Sequence, residues 1–268
     1  MSTSPSATHF PELDLLLVEL TERTGDILGD NRVGVYLQGS FALGDSDFFS
    51  DVDFLIPVHS QVTQSQEAAL RALHAELPTR PAHWARHLEG SYPVAHELRS
   101  RENMNAEWLY IDHGWREMQW SNHCNNLVAR WSLREYGVRL AGPEPRTLVD
   151  EVPAADLRAF ARASAGTFMA DFTTWMTLDI AWGQRYAVTT WCRILATLES
   201  GRVVSKQAAL EWGRRTLGTE WGDLLQQVID DRARGFDQDD TARPGTVEQT
   251  LAFAAFAEER ARTPQGQG

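Results

Sequence analysis

The stretch "VYLQGSFALGDSDFFSDVDFLIPV", Val35 to Val58, sets two apolar runs around Gly39-Ser40 and Asp51-Val52-Asp53. "VGVYLQ" and "DVDFLIPV" are rich in β-branched and aromatic residues and read as two short strands. Residues two apart on a strand face the same side, so Asp51 and Asp53 present both carboxylates together near the strand's start. Such a pair repels itself unless something positive compensates it. Alone, two aspartates at a strand start more often cap a turn or meet solvent. Gly39-Ser40, with Ser40 eleven residues before Asp51, moves the balance toward chemistry. Glycine allows close backbone approach to a phosphate, and serine adds a hydroxyl donor.

Working outward, "FPELDLLLVELTERTGDILGD" repeats Leu13, Leu16, Leu17 and Leu20 at helical spacing, and "SQEAALRALHAEL" reads as a second helix. "HWARHLEGSYPV" reads as a third strand with His87, Glu89 and Ser91 on one face. Glu89 can then join the aspartates if the strands pair, with Glu97 as the reserve third carboxylate. Three converging carboxylates suit a hard divalent cation such as magnesium, which completes its shell with waters and substrate phosphates. A metal cluster beside a phosphate-binding turn is an arrangement for phosphoryl or nucleotidyl transfer.

Beyond about residue 118 the strand signals fade. "SNHCNNLVARWSLREYGVRLAG" reads as one amphipathic helix stopped by Gly142-Pro143, and five further helical segments follow to residue 262. The organisation expected is a flexible tail over 1–8, an α/β domain over 9–117, a helical domain over 118–262 and a second tail over 263–268. Cys124 and Cys192 lie far apart without a metal-ligand pattern and read as small buried side chains in a reducing cytoplasm. The net charge is −12 and the longest basic run is Arg214-Arg215, which argues against a nucleic-acid partner and mildly favours a cationic ligand. No apolar run approaches the roughly 20 residues that cross a bilayer, and the N-terminus lacks a signal-peptide pattern, so no membrane partner is expected. His83, His87 and His113 show no tight metal-ligand spacing and read as ordinary partly exposed histidines.

Gly39-Ser40 followed by Ser50-Asp51-Val52-Asp53 and an apolar strand resembles the signature of the DNA polymerase β-like nucleotidyltransferase superfamily. "YGVRLAGPEPRTLVDEVPAADL" and "RYAVTTWCRILATLESGRVVSKQAALEW" are similar to the helical part of the aminoglycoside adenylyltransferases that modify streptomycin and spectinomycin. The resemblance runs from about Leu13 to Gly235. It implies an α+β nucleotidyltransferase domain, a small mixed sheet with helices, followed by an all-α helical bundle. It further implies a monomeric cytoplasmic enzyme that moves AMP from ATP to a hydroxyl of a small cationic antibiotic. Asp51, Asp53 and Glu89 would hold two magnesium ions, with Glu89 also the catalytic base, and Gly39 and Ser40 would meet the phosphate tail. Arg193 and Lys206 fall on the family's nucleotide-binding positions. Trp108 and Trp115 are candidates for stacking on adenine or an aminocyclitol ring. The acid that members use to grip the antibiotic is replaced by Gly183, which leaves Trp175, Asp179 and Arg185 as the acceptor candidates. The alternatives are the same chemistry on a protein or another small molecule, or a nucleotide-binding module without catalysis.

Overall fold

The computed structural model describes residues 7–113 and 115–263, and these fall into two compact units. The first comprises residues up to Ser46 together with Ser50–Glu151; the second comprises Asp47–Phe49 and Val152 onward. The first unit opens with helix α1 (Pro11–Leu28), where Pro11 starts the helix and Leu13, Leu16, Leu17, Leu20 and Leu28 form its buried face. Thr8, expected in the flexible tail, donates from its amide and hydroxyl to Asp14 Oδ1, each at 2.9 Å. The remaining tail residues 1–6 and 264–268 lie outside the described residues.

Strand β1 (Val35–Leu37) runs into the short helix α2 (Gly39–Leu43), and β2 (Val52–Leu55) returns antiparallel to β1. Helix α3 (Gln64–Glu76), started by a Thr63–Gln66 capping box, leads to β3 (Leu88–Tyr92), which lies parallel to β2. Next come α4 (Ala95–Arg99), β4 (Trp108–Ile111), β5 (Gln119–Ser121), α5 (Leu127–Tyr136) and β6 (Val138–Ala141). The six strands form one mixed sheet in the order β5-β4-β3-β2-β1-β6. One face is sealed by the leucines of α1 and α3 against Val35, Leu37, Val52, Phe54 and Ile56.

The expected helix over 121–142 is in fact a helix and a strand. Helix α5 ends at Gly137, and Val138–Ala141 pairs with β1 through Leu37↔Val138 and Tyr36↔Arg139. The expected break at 117/118 therefore falls inside the first unit, because β5 and β6 complete its sheet at both edges.

The second unit is helical: α6 (Ala154–Phe172), α7 (Ala181–Ser200), α8 (Lys206–Thr216), α9 (Gly222–Asp230) and α10 (Thr246–Arg262). Helix α7 is its axis, buried along Val188, Trp191, Cys192 and Leu195, and α6, α8, α9 and α10 pack Ala161, Leu210, Leu225 and Phe253 into the same core. Cys124 and Cys192 are free and buried. Among the described residues, no helix is long and apolar enough to cross a membrane.

Candidate active site

Parallel pairing of β2 with β3 sets Asp53 directly beside Glu89, and Asp51 lies one position before β2 on the same side as Asp53. The chain turn after β1 brings Gly39 against the same place. Gly39 has φ +63°, and a Cβ built there would sit 2.0 Å from Asp53 Oδ2. The glycine thus serves two purposes, a left-handed backbone and room for the carboxylate. The Gln38 amide donates to the Asp53 carbonyl at 2.9 Å, tying the turn to β2. Ser40 follows in the first turn of α2, half-buried, with its carbonyl accepting from the Asp45 amide at 3.1 Å.

Positive and hydrogen-bonding groups surround these carboxylates. His113 Nδ1 lies 2.8 Å from Asp51 Oδ1, and His123 Nε2 lies 3.4 Å from Glu89 Oε1. Each imidazole is raised above its ordinary pKa, first by the hydrogen bond to its carboxylate partner. The Tyr110 hydroxyl donates to Glu89 Oε1 at 3.0 Å, and burial, then the Glu89 charge, holds the phenol far above its ordinary range. It is therefore a permanent donor to Glu89. The neighbouring carboxylates thus favour the protonated form of both imidazoles. Asp51, Asp53 and Glu89 offer oxygen ligands, the kind that a hard divalent ion takes.

Two residues named from the sequence take structural roles here instead. Trp108 is 1% exposed, and its indole N–H donates to Glu97 Oε2 at 2.9 Å. All four residues of β4 are buried, so Trp108 is a core side chain. Glu97 accepts that hydrogen bond and sits on α4, outside the β2–β3 pairing that sets Glu89 beside Asp53. Trp115 is 64% exposed and lines an open recess with His113, Arg116 and Glu117.

In the helical unit, Arg193 donates from Nε to the Val204 carbonyl at 3.2 Å, in the connection that leads to Lys206. Lys206 is exposed at the first position of α8, just after the capping Ser205. Trp175 is exposed and meets Tyr186 edge-on at 5.3 Å, and Tyr186 stacks on Trp182. Asp179, also exposed, accepts from the Thr177 hydroxyl at 2.9 Å. Arg185 is different. It is 8% exposed, donates to the Gly235 carbonyl at 2.6 Å and pairs with Asp240 at 3.4 Å, so it anchors the 235–240 segment to α7. At Gly183 a Cβ would lie 2.2 Å from the Thr177 carbonyl oxygen, so an acidic side chain has no space at that position.

Residues 147–257 match the family model described as aminoglycoside adenylyltransferase, C-terminal domain. Spectinomycin 9-adenylyltransferase from Staphylococcus aureus is 26% identical over 209 residues, spanning 75% of this chain and 77% of that relative. Over these residues the chain is similar to the aminoglycoside adenylyltransferases. A solved spectinomycin adenyltransferase, AAD(9) from Enterococcus faecialis with ATP and spectinomycin, shares its fold. The TM-score is 0.67 at 16% identity, over 93% of this chain and 98% of that one. These relatives are adenylyltransferases, and in this chain the paired acids of β2 and β3 form the acidic shelf of the sheet.

The sequence alone does not single out Tyr110 or His123, and it gives His113 as an ordinary partly exposed histidine; all three lie on or beside β4 and β5. The signal was present in "EWLYIDHGW" and "MQWSNHC", two runs of strand-forming residues each followed by a histidine. What the sequence lacked was the register that lays them against β3.

Proposed function

We propose that the chain transfers AMP from ATP to a hydroxyl of an aminocyclitol or aminoglycoside antibiotic, in a magnesium-dependent reaction that confers resistance. Spectinomycin is the first acceptor to try and streptomycin the second. Similarity to aminoglycoside adenylyltransferases supports the chemistry, and the Asp53↔Glu89 pairing with Asp51 at its end is the observation that carries it.

Asp51, Asp53 and Glu89 would hold magnesium, whose charge offsets that of the phosphate oxygens. Glu89 accepts the proton of the acceptor hydroxyl while that oxygen bonds to the α-phosphorus and the bond to the pyrophosphate oxygen breaks. Tyr110 and His123 hold the Glu89 carboxylate in place on one oxygen, Oε1, leaving Oε2 for the incoming proton. Gly39 and Ser40 are assigned to the phosphate tail, and Arg193 and Lys206 to cationic contact with nucleotide phosphates. The exposed Trp175 and Asp179 are assigned to the acceptor, an apolar face and a negative charge suited to a cationic sugar-like ring. Trp115, exposed beside His113, is assigned to stacking on one of the two substrates.

The test is acceptor-dependent pyrophosphate release from ATP, with and without chelation of magnesium. The reading expects release only with antibiotic and magnesium together, and its loss in Glu89→Gln. Release that ignores the antibiotic, or a fully active Glu89→Gln, contradicts it.

A further inference from the structure

The carboxylate end of the sheet also carries a group of nitrogen donors that the proposed reaction does not use. In the parallel pairing Val52 is level with Leu88, so Asp51, one residue earlier, is level with His87. In the antiparallel pairing Gly90 is level with Ile111, so His113, two residues on, is level with Leu88. Asp51, His87 and His113 therefore meet at one end of three adjacent strands, although 62 positions separate the first from the last. One ligand atom from each lies within 4.8 Å of the other two, and His113 Nδ1 is 2.8 Å from Asp51 Oδ1. The rings of His87 and His113 are 4.4 Å apart, and those of His83 and His87 are 4.2 Å apart. His87 Nδ1 is buried and has no hydrogen-bond partner among the described residues.

We propose that His87, His113 and Asp51 form a binding site for a borderline transition-metal ion, Zn2+ being the natural occupant, and that filling it arrests AMP transfer by withdrawing Asp51 from its magnesium role. The second half of the proposal rests on the catalytic assignment of Asp51; the first half does not. Imidazole nitrogen suits zinc, nickel and copper, whereas magnesium takes oxygen ligands. Two histidines and one carboxylate are a zinc donor set that keeps a fourth position for water. A ring nitrogen of His87 gains a ligand bond in such a site, and the Asp51–His113 contact exchanges a proton for the metal. A carboxylate shared between an oxygen site and a nitrogen-rich site makes occupation by the two ions mutually exclusive.

The experiment uses the untagged full-length chain with Co2+ as a spectroscopic probe of the zinc position. One Co2+ per chain is expected to give the visible ligand-field band of a low-coordinate nitrogen–oxygen site, and one equivalent of Zn2+ should bleach it. His87→Gln and His113→Gln should each weaken Co2+ binding about tenfold or more, with metal-free melting curves showing that the variants fold. Should either variant fail to fold, histidine ring resonances of the unmodified chain decide, since zinc must shift those of His87 and His113 and leave those of His9 and His59 in place. Asp53→Asn should keep the band. Zn2+ should inhibit AMP transfer by the unmodified chain and inhibit His113→Gln at least tenfold less. No band, a band untouched by both histidine changes, or zinc shifts confined to other histidines overturns the site. If Asp53→Asn still transfers AMP, the catalytic reading fails while the metal site stands.

Discussion

Replacing Gly39 by alanine tests the geometry of the carboxylate shelf without removing any acid. The added Cβ would lie 2.0 Å from Asp53 Oδ2 and 2.6 Å from its Cγ, where ordinary contact begins at 3.4 Å. The carboxylate must therefore retreat by more than an ångström, and a misplacement of about 1 Å at a reacting centre costs roughly 100-fold in rate. That is about 2.7 kcal/mol of lost transition-state stabilisation. The backbone adds its own strain, since φ +63° disfavours a side chain by about 1–2 kcal/mol. For a chain of this size that strain lowers Tm by about 2–8 °C. Gly44→Ala separates the two effects, because Gly44 has φ +70° but nothing within 4 Å of a new Cβ. The assay is kcat/KM from pyrophosphate release well below both melting points, alongside thermal melts. Gly39→Ala should lose activity about 100-fold while Gly44→Ala loses only a few degrees of Tm. If Gly39→Ala keeps kcat/KM within about threefold of the unmodified chain, the placement of Asp53 is not what the glycine protects and the reasoning fails.

Glu89→Gln should abolish AMP transfer, whereas Glu97→Gln should keep it within a few-fold, since glutamine can still accept from the Trp108 indole; kcat for the two variants decides between them. Gly183→Asp should lower Tm by several degrees rather than improve antibiotic binding, because its Cβ would strike the Thr177 carbonyl 2.2 Å away, an overpacking that costs about 1–3 kcal/mol. Trp175→Ala should raise KM for the antibiotic and leave KM for ATP unchanged, measured by steady-state kinetics. His74 is buried against Phe54 and the Tyr92 hydroxyl, and burial holds its pKa down to about 3 against 6.5 ordinarily. The unfolded chain then binds the extra proton first, so stability falls as pH drops from 6.5 towards 3, by up to about 1.4 kcal/mol per pH unit. His74→Gln, which keeps a partner for Tyr92, should flatten that acid limb in urea unfolding. His113 acts with the opposite sign. Its raised pKa gives stability that is complete below 6.5 and lost as pH rises through the folded value, so His113→Gln should flatten the alkaline side.

The acids were legible because a strand's period of two is written directly into Asp-Val-Asp and His-Leu-Glu-Gly-Ser, and pairing β2 with β3 needs only their closeness in sequence. The helical unit was legible because α6 to α10 each carry an apolar stripe, with Ser205 and Gly201 punctuating α7 and α8. Trp108 was misread because β4 is buried on both faces, and a continuous apolar run does not say which ring has a free side. The anchoring role of Arg185 is not legible because its partners, Gly235 and Asp240, lie 50 and 55 positions away and nothing local announces them. Val138–Ala141 was misread as helix because a four-residue strand after a helix carries too little pattern of its own. Its identity comes from hydrogen bonds to β1, about a hundred residues earlier. His87 and His113 read as ordinary histidines for the same reason: their meeting is a fact of register.

The central claim is that the acidic shelf on β2 and β3 moves AMP onto an antibiotic hydroxyl. Mass spectrometry of spectinomycin after incubation with the chain, ATP and magnesium tests it most directly, with streptomycin and other aminoglycosides alongside. The account predicts a product heavier by one adenylyl group, absent when Asp53→Asn replaces the unmodified chain. An unmodified antibiotic across the whole panel, or an adduct that Asp53→Asn still makes, contradicts it.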